Sequence, residues 1–517
     1  MTAPEFPSPV RSWRDSLRAF ADRRIIALLF LGFSAGLPLL LVFSTLSLWL
    51  AQADVSRSTI GFMSWAALSY GFKFVWAPMI DRFPVPGLTR KLGRRRAWLL
   101  IAQVTIMAAL VLTALNDPKN NLFMTAVFAV LLGFASATQD VVIDAYRIEV
   151  AEKDLQGLMS AAYIAGYRVG MAVAGAGALE IAGFLSGGRS YDYHAWSVTY
   201  LAMAAVMLVG VGTTFAVPEP DVPHRPEDGT ESRQDYQRFL IGFLLAVGVF
   251  VGVFLATSAF GSTAREVLAS SGGLSQGLSG FIVESLRFVL AAAAAFGVAR
   301  ALVGLRIVPE KMLDETYIAP FRDFFQRYGR TALFMLGLIA TYRIADIVMG
   351  VMANVFYSDI GFSLQAIGRV TKIYGVIMTI VGSVGGGILI LRFGLMRTLF
   401  AGAALAAGTN LLFVLLAQAG PDLPLLMVVI SADNLSGGIA AAAFVAYLSS
   451  LTSASFTASQ YAIFSSVMLL LPKVMAGYSG SVVESVGYPA FFTGTALLGV
   501  PVLILIVLLA RRDRGKP

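Results

Sequence analysis

Residues 122–146, LFMTAVFAVLLGFASATQDVVIDAY, decide how the chain is to be read. Residues 122–139 carry no charged side chain. That is nearly the length a helix needs to cross a hydrocarbon layer, about 20 residues at ~1.5 Å rise each. Two carboxylates, Asp140 and Asp144, then follow within the same apolar run. An ionisable group inside such a helix costs about 2.5–3.5 kcal/mol on insertion scales. The stretch therefore predicts a membrane-spanning helix whose acids face something other than lipid.

The pattern recurs from end to end. Apolar segments long enough to span fall at 25–52, 58–80, 97–115, 122–146, 157–185, 197–217, 237–259, 277–304, 331–357, 364–391, 396–418, 423–448, 457–483 and 488–510. The expected fold class is an all-α integral membrane protein of about fourteen spans. Composition agrees: of 517 residues 57% are hydrophobic and 14% charged, against roughly 25% charged in soluble domains. The first segment is too long for a cleaved signal peptide and lacks a small-residue cleavage site. There is no cysteine, which excludes disulfides and thiolate chemistry. The only histidines, His194 and His224, fall in expected loops, so no metal site, cofactor or histidine-based catalytic triad is expected in the membrane.

The net charge of +8 is distributed by side. With the N-terminus placed inside and the spans alternating, only Arg57, Lys119, Arg189 and Arg265 of the 39 basic residues fall outside. Lys73, Arg168, Arg287, Arg343, Arg369, Lys372 and Lys473 lie within spans, and the remaining 28 gather on the inner side. This bias predicts both termini in the cytoplasm. It accounts for the basic surplus without a nucleic-acid partner.

Two polar stretches divide the chain. Residues 218–236 are Pro-rich and read as a loop. Residues 305–330 place Phe321, Phe324 and Phe325 among charges, the pattern of a helix lying on the inner membrane face. Between them sit the spans at 237–259 and 277–304. The expected domains are a six-helix bundle over 1–217, a central segment over 218–330, and a second six-helix bundle over 331–517. Six plus six is the major facilitator plan. Asp81-Arg82 and Gly93-Arg94-Arg95-Arg96 resemble that superfamily's loop motif between its second and third spans. A carboxylate at one helix end can pair with arginines at the next and hold the cytoplasmic side shut, which makes Asp81, Arg82, Arg94, Arg95 and Arg96 candidate gating residues. The alternative is that the arginines only anchor topology. Gly385-Gly386-Gly387, Arg392 and Arg397 form a weaker copy in the second half.

Asp140 and Asp144 are four apart and share a helix face. Two carboxylates buried together disfavour each other's charge, so at least one can hold a proton, the chemistry of a proton-coupled carrier. The alternative is simple pairing with Arg94–Arg96 or Arg147. Candidate substrate contacts are Lys73, Gln139, Tyr167, Arg168, Tyr342, Arg343, Asp346, Lys372, Asp433 and Asn434. Such a cavity suits an anionic, hydrogen-bonding solute. Lys73 and Lys372 could instead snorkel or pair structurally.

Several motifs resemble the AmpG-type muropeptide permeases of the major facilitator superfamily. They are Gly32-Phe33-Ser34-Ala35-Gly36-Leu37-Pro38-Leu39, Phe72-Lys73-Phe74-Val75-Trp76-Ala77-Pro78 and the run from Ser136 to Ala145. Gly166-Tyr167-Arg168-Val169-Gly170-Met171, Asp433-Asn434-Leu435-Ser436-Gly437-Gly438 and the run from Ser455 to Ala462 complete the set. The resemblance implies a monomer that imports anhydro-muropeptides with protons across the bacterial inner membrane, for peptidoglycan recycling and with a link to β-lactam resistance. It also links Asp140 to transport. The chain departs from enterobacterial relatives in its central extra spans, and in Asp433 where they show glutamate. A related carrier for acetyl-CoA or oligopeptides is the alternative; the acidic motif of oligopeptide carriers is absent from the first span. A membrane enzyme and a transporter-like sensor are the readings from other classes.

Overall fold

Uninterrupted apolar runs of 20–30 residues can satisfy their backbone in lipid only as helices, because no water is there to take the N–H and C=O groups. The computed structural model describes residues 21–56, 59–60, 63, 68–150, 155–187, 191–221, 233–270, 276–476 and 478–514, and contains no strand among them. Thirteen helices among the described residues are long and apolar enough to cross a membrane. The expected 58–80 span is not one of them, because part of it lies outside the described residues. So do most of the 218–236 linker with His224, and the Lys372 side chain.

The first six helices are α1 (Arg23–Gln52), α2 (residues 68–82), α3 (Arg94–Ala114), α4 (Leu122–Val150), α5 (Gln156–Ser186) and α6 (Tyr193–Ala216). Helix α2 is broken by a 3-10 turn at Lys73–Val75. A central group follows: α7 (Arg233–Ala256), α8 (Ser258–Ser270) and α9 (Gln276–Gly304). The chain continues through α10 (Ala319–Tyr328) into α11 (Thr331–Asp359), α12 (Gly368–Phe393), α13 (Leu395–Ala419), α14 (Leu423–Leu451), α15 (Thr457–Ala476) and α16 (Val482–Arg512).

Two compact units result. One joins Met1–Val222 to Asp323–Pro517; the other is Pro223–Arg322. Within the smaller unit α7 and α9 pair as a hairpin. Arg287 of α9 lies 4.4 Å over the Phe254 ring, donates to Thr257 Oγ1 at 3.2 Å, and pairs with Glu284 at 2.7 Å. That arrangement gives the Arg287 guanidinium polar partners inside an otherwise apolar hairpin. In α10, Phe324 is buried against Phe464 and Tyr328 with centroids 5.0 and 5.1 Å away, whereas Phe321 and Phe325 point outward.

In the larger unit two helix pairs pack closest, α1 with α5 and α12 with α14. At Gly166 of α5 a Cβ would stand 1.9 Å from the Leu29 carbonyl oxygen of α1, so only glycine allows this approach. The last six helices have a core of their own, from Met335 and Phe356 to Phe492 and Ile506. The first six have two core clusters. The one around Leu37, Trp49 and Tyr200 draws only on α1 to α6 and the segment between α1 and α2. The one around Ile143, Leu158 and Val217 also takes in Leu391, Ala442, Ala458 and Ala462 from the last six. The halves thus share apolar packing at the end where the arginine-rich loops emerge.

Replacing Gly166 with alanine is expected to lower thermal stability by about 1–3 kcal/mol through overpacking against α1. Thermal unfolding in detergent checks it, with Gly183→Ala on the same helix, where a Cβ meets nothing within 4 Å, as the variant expected to leave the midpoint in place.

Candidate functional site

Arg95 is the second residue of α3, which opens at Arg94 after Gly93, whose φ of +87° turns the chain into the helix. Glycine cannot cap this helix end, and three arginines crowd its first turn. Glu219 supplies the cap from the far end of the bundle: its carboxylate oxygens accept from the Arg95 N–H at 2.8 Å and the Arg96 N–H at 3.0 Å. Pro218 joins it, its carbonyl accepting from the Tyr146 hydroxyl at 3.1 Å. The start of the linker expected as a loop is therefore part of the bundle, because an anion is needed where α3 begins.

The Arg95 side chain is 2% exposed. It donates to Asp81 Oδ1 at 2.8 Å, to Glu149 Oε2 at 2.8 Å and to Thr457 Oγ1 at 2.8 Å, and pairs also with Glu149 Oε1. Asp81 in turn sits on the first turn of α15. Its Oδ1 accepts from the Ala458 N–H at 3.1 Å, and its Oδ2 from the Ser459 N–H at 2.8 Å and the Ser459 hydroxyl at 2.6 Å. A carboxylate on a helix N-terminus meets unsatisfied N–H groups and the positive end of the dipole together. The ion pair of the first half thus closes onto the second. Of the other gating candidates, Arg94 donates to the Asp81 carbonyl at 2.5 Å, and Arg96 turns away to the Thr214 and Phe215 carbonyls of α6 at 3.0 and 3.1 Å. Arg82 ends α2. Glu149, Thr457 and Ser459 complete the closure; Glu149 is unmarked in the sequence, and Thr457 and Ser459 stand out there only as part of the run from Ser455 to Ala462.

One face of α4 carries Ser136, Asp140, Asp144 and Arg147, spaced at helical intervals. Tyr70 shares a hydrogen bond of 2.6 Å with the Ser136 hydroxyl. Asp140 and Asp144 are 6% and 4% exposed. Asp144 is held by Arg147 at 3.2 Å and by Lys73 Nζ at 3.6 Å. Asp140 stands within electrostatic reach of Lys73 and Asp144, yet its Oδ1 is buried without a hydrogen-bond partner among the described residues. The two carboxylates therefore differ: Asp144 is committed to cations and Asp140 is not. Arg147 itself is fully buried, which the basic-loop assignment of the sequence did not anticipate.

Arg168 of α5 is partly exposed and makes no hydrogen bond or ion pair among the described residues. It lies within electrostatic reach of Arg343 and Asp346 on α11, which pair with each other, and of its neighbour Tyr167. Asp433 of α14 is in turn within reach of Asp346. These groups bring both halves to one polar region. Three other candidates are committed to structure. Gln139 is 0% exposed and donates to the Ser34 carbonyl of α1 at 3.1 Å. Asn434 accepts from Thr379 of α12 at 2.8 Å and donates to the Ile430 carbonyl at 3.0 Å. Tyr342 is stacked on Phe444 with centroids 4.3 Å apart, and its hydroxyl donates to the Leu399 carbonyl at 3.1 Å.

Residues 25–342 match the family model described as Major Facilitator Superfamily. The chain is 26% identical over 492 residues to a protein of Rickettsia conorii named putative transporter AmpG 4, covering 95% of this chain and 98% of that one. It is 29% identical over 492 residues to the anhydromuropeptide permease of Escherichia coli K12, covering 95% of this chain and 80% of that one. Among solved structures it is similar to the proton:xylose symporter XylE, with a TM-score of 0.57 at 13% identity, covering 95% of this chain and 96% of that one. The transporter FucP gives a TM-score of 0.58 at 11% identity, covering 96% and 99%. The solved structures carry the fold; the relatives carry the resemblance to AmpG-type permeases across nearly the whole chain.

Removing the Arg95 side chain leaves Asp81 and Glu149 without it, a loss of about 3–5 kcal/mol for a broken buried pair. The chain has no cysteine, so spin labels on K91C and S455C, both exposed positions near the closure, report the gap directly. Arg95→Ala is expected to move the population to longer distances; an unchanged distribution would show that these ion pairs do not hold the end shut.

Proposed function

As the chain belongs to the Major Facilitator Superfamily and is a multi-pass membrane transporter of a small molecule, we propose that it carries anhydro-muropeptides, with protons, from periplasm to cytoplasm by alternating access. The observation that carries this reading is Asp140: a carboxylate buried among helices, beside a lysine and a second aspartate, whose Oδ1 no described residue satisfies. An ion kept permanently there would be costly; a group that binds and releases a proton has a reason to be there.

In this reading the arginine-rich end faces the cytoplasm of a bacterial inner membrane, in line with the distribution of basic residues. The Asp81–Arg95–Glu149 closure onto α15 then blocks the cytoplasmic exit, and the polar region is reached from the periplasm. Arg168, with no hydrogen-bond or ion-pair partner among the described residues, is taken to bind a carboxylate of the stem peptide, and the Arg343–Asp346 pair lies within its electrostatic reach from the other half. Asp433 and Tyr167 extend the same region, and Lys73 ties the proton site to it. Gln139, Asn434 and Tyr342 act as supports rather than contacts, given their bonds to α1, α12 and the α13 backbone. The central unit and the two flanking six-helix bundles are taken as separate domains, and the carrier is taken to work as a monomer.

The resemblance to the Escherichia coli permease favours a muropeptide over other anionic solutes, such as acetyl-CoA or free oligopeptides. Uptake into proteoliposomes separates these readings. Asp140→Asn is expected to abolish uptake driven by a pH gradient while the protein remains in the membrane; wild-type uptake in that variant would remove Asp140 from the coupling. Arg168→Gln is expected to raise the KM for labelled anhydro-muropeptide about tenfold, the loss of roughly one charge-assisted hydrogen bond, and to leave KM unchanged for a ligand without carboxylates.

A further inference from the structure

Arg147 belongs neither to the ion-pair closure nor to the carboxylate proposed to carry the proton, yet it touches the surroundings of both. Its side chain is buried and spends its donors in three directions. One goes to Asp144 Oδ1 at 3.2 Å, one turn back on α4. One goes to the Ser160 hydroxyl of α5 at 3.0 Å. The third crosses to the other half, to the Ser449 hydroxyl of α14 at 2.6 Å. The guanidinium lies 5.9 Å from the centre of the Tyr163 ring on α5 and 5.2 Å from that of Tyr461 on α15. Its Nε has no partner among the described residues.

This geometry depends on both halves. With the halves together, Ser449 and Ser160 hold the guanidinium at the cytoplasmic side of Asp144. When the halves part there, Ser449 leaves with α14. A buried guanidinium that loses an acceptor is costly, and the carboxylate at hand is Asp144, already its partner, which in turn lies within electrostatic reach of Asp140. A cation drawn closer to Asp144 offsets that carboxylate's repulsion of Asp140, and so favours the ionised form of Asp140.

We propose that Arg147 is the positioning residue that couples closure of the arginine-rich end to the protonation of Asp140, through the hydroxyl of Ser449 across the halves. Opening releases the guanidinium toward Asp144, which weakens the repulsion Asp144 exerts on Asp140 and expels the proton on that side. The proposal rests on the reading of Asp140 as the proton carrier. The ionisable groups facing Asp140 are Lys73 and Tyr70 from α2, Asp144 from α4, Tyr163 and Tyr167 from α5, and Tyr461 from α15. Tyrosines stay neutral through the working pH range, so Asp140 is the group among these that the Arg147 displacement can switch while Lys73 and Asp144 remain paired.

The sign follows from linkage. If the open state favours ionised Asp140, acid favours the closed state and alkali the open one. The test needs no substrate, so it does not depend on which solute is carried. Spin labels on K91C and S455C in the full chain, reconstituted in nanodiscs, are read from pH 5.5 to 8.5. The open fraction of the otherwise wild-type chain is expected to rise at least about threefold across that range. Ser449→Ala, a mild change that leaves every ionisable group in place, is expected to raise the open fraction at pH 5.5 and to flatten the rise. Arg147→Gln is expected to abolish the rise, and Arg147→Lys to restore part of it. A merely structural role predicts another result: Arg147→Gln and Ser449→Ala would shift the open fraction equally at every pH and leave the rise intact, and that outcome overturns the proposal. Asp140→Asn separates the two readings. If it removes the rise while Arg147→Gln keeps it, the proton site stands and the coupling through Arg147 falls. If the rise survives Asp140→Asn, the proton site itself falls and the coupling with it.

Discussion

A guanidinium shut between two carboxylates, with one of those carboxylates seated on the first turn of a helix from the opposite half, is the contact on which the observed arrangement rests. Arg95 is desolvated almost completely, and neither Asp81 nor Glu149 can be left without it cheaply. Asp81 divides itself between Arg95 and the N–H groups of Ala458 and Ser459, so the same oxygens satisfy a cation and a helix end. The apolar cluster of the first half, where it admits Leu391, Ala442, Ala458 and Ala462, follows the same seam. The polar closure fixes where that packing can form.

From this seam a polar run ascends α4. Glu149 belongs to the closure, Arg147 bridges to Ser449, Asp144 is neutralised by Arg147 and Lys73, and Asp140 above them lacks such neutralisation. The charge compensation is thus graded along one helix, complete at the closed end and incomplete deeper in. Asp140 stands ten residues from the end of α4, about 15 Å of helix. In the proposed function a group in that place exchanges protons with whichever side is open, while those below it are occupied with holding the halves together.

The membrane character, the approximate number of spans and the six-plus-six plan were legible because they depend on segment length and on the distribution of arginine, both of which are properties of the sequence itself. The Asp81–Arg95 pairing was legible because the motif places its members at two adjacent helix ends. Glu149 and Ser449 were not, since their partners are tens to hundreds of residues away and nothing local marks them; Ser459 lies in a run that carries the family resemblance, but nothing in that run tells that it holds Asp81. Glu219 escaped for a different reason: a Pro-rich segment reads as a loop, and the need it answers, an uncapped helix opening on glycine and three arginines, lies at residue 93. Gln139, Asn434 and Tyr342 show the converse. Each is a polar residue in an apolar helix, and the sequence gives no means of telling a side chain that faces a cavity from one pinned to a neighbouring backbone.

The closest helix pairs indicate which parts move as bodies. α1 packs on α5 with Gly166 against a backbone carbonyl, and α12 on α14 with Gly438 against the Thr379 carbonyl, contacts too tight to slide without loss. In the inverted three-helix repeats of the major facilitator plan, these two pairs are equivalent positions in opposite halves. Among the described residues, the hydrogen bonds that Asp81, Arg95, Glu149 and Arg147 make across the halves instead go to the start of α15 or the end of α14. Each close pair is sealed by glycine against a backbone carbonyl, whereas the contacts between halves are ion pairs and hydroxyls that water can replace once the gap opens. A carrier that must alternate between two closed ends needs that division: permanent packing within each half, and exchangeable polar bonds where the halves meet.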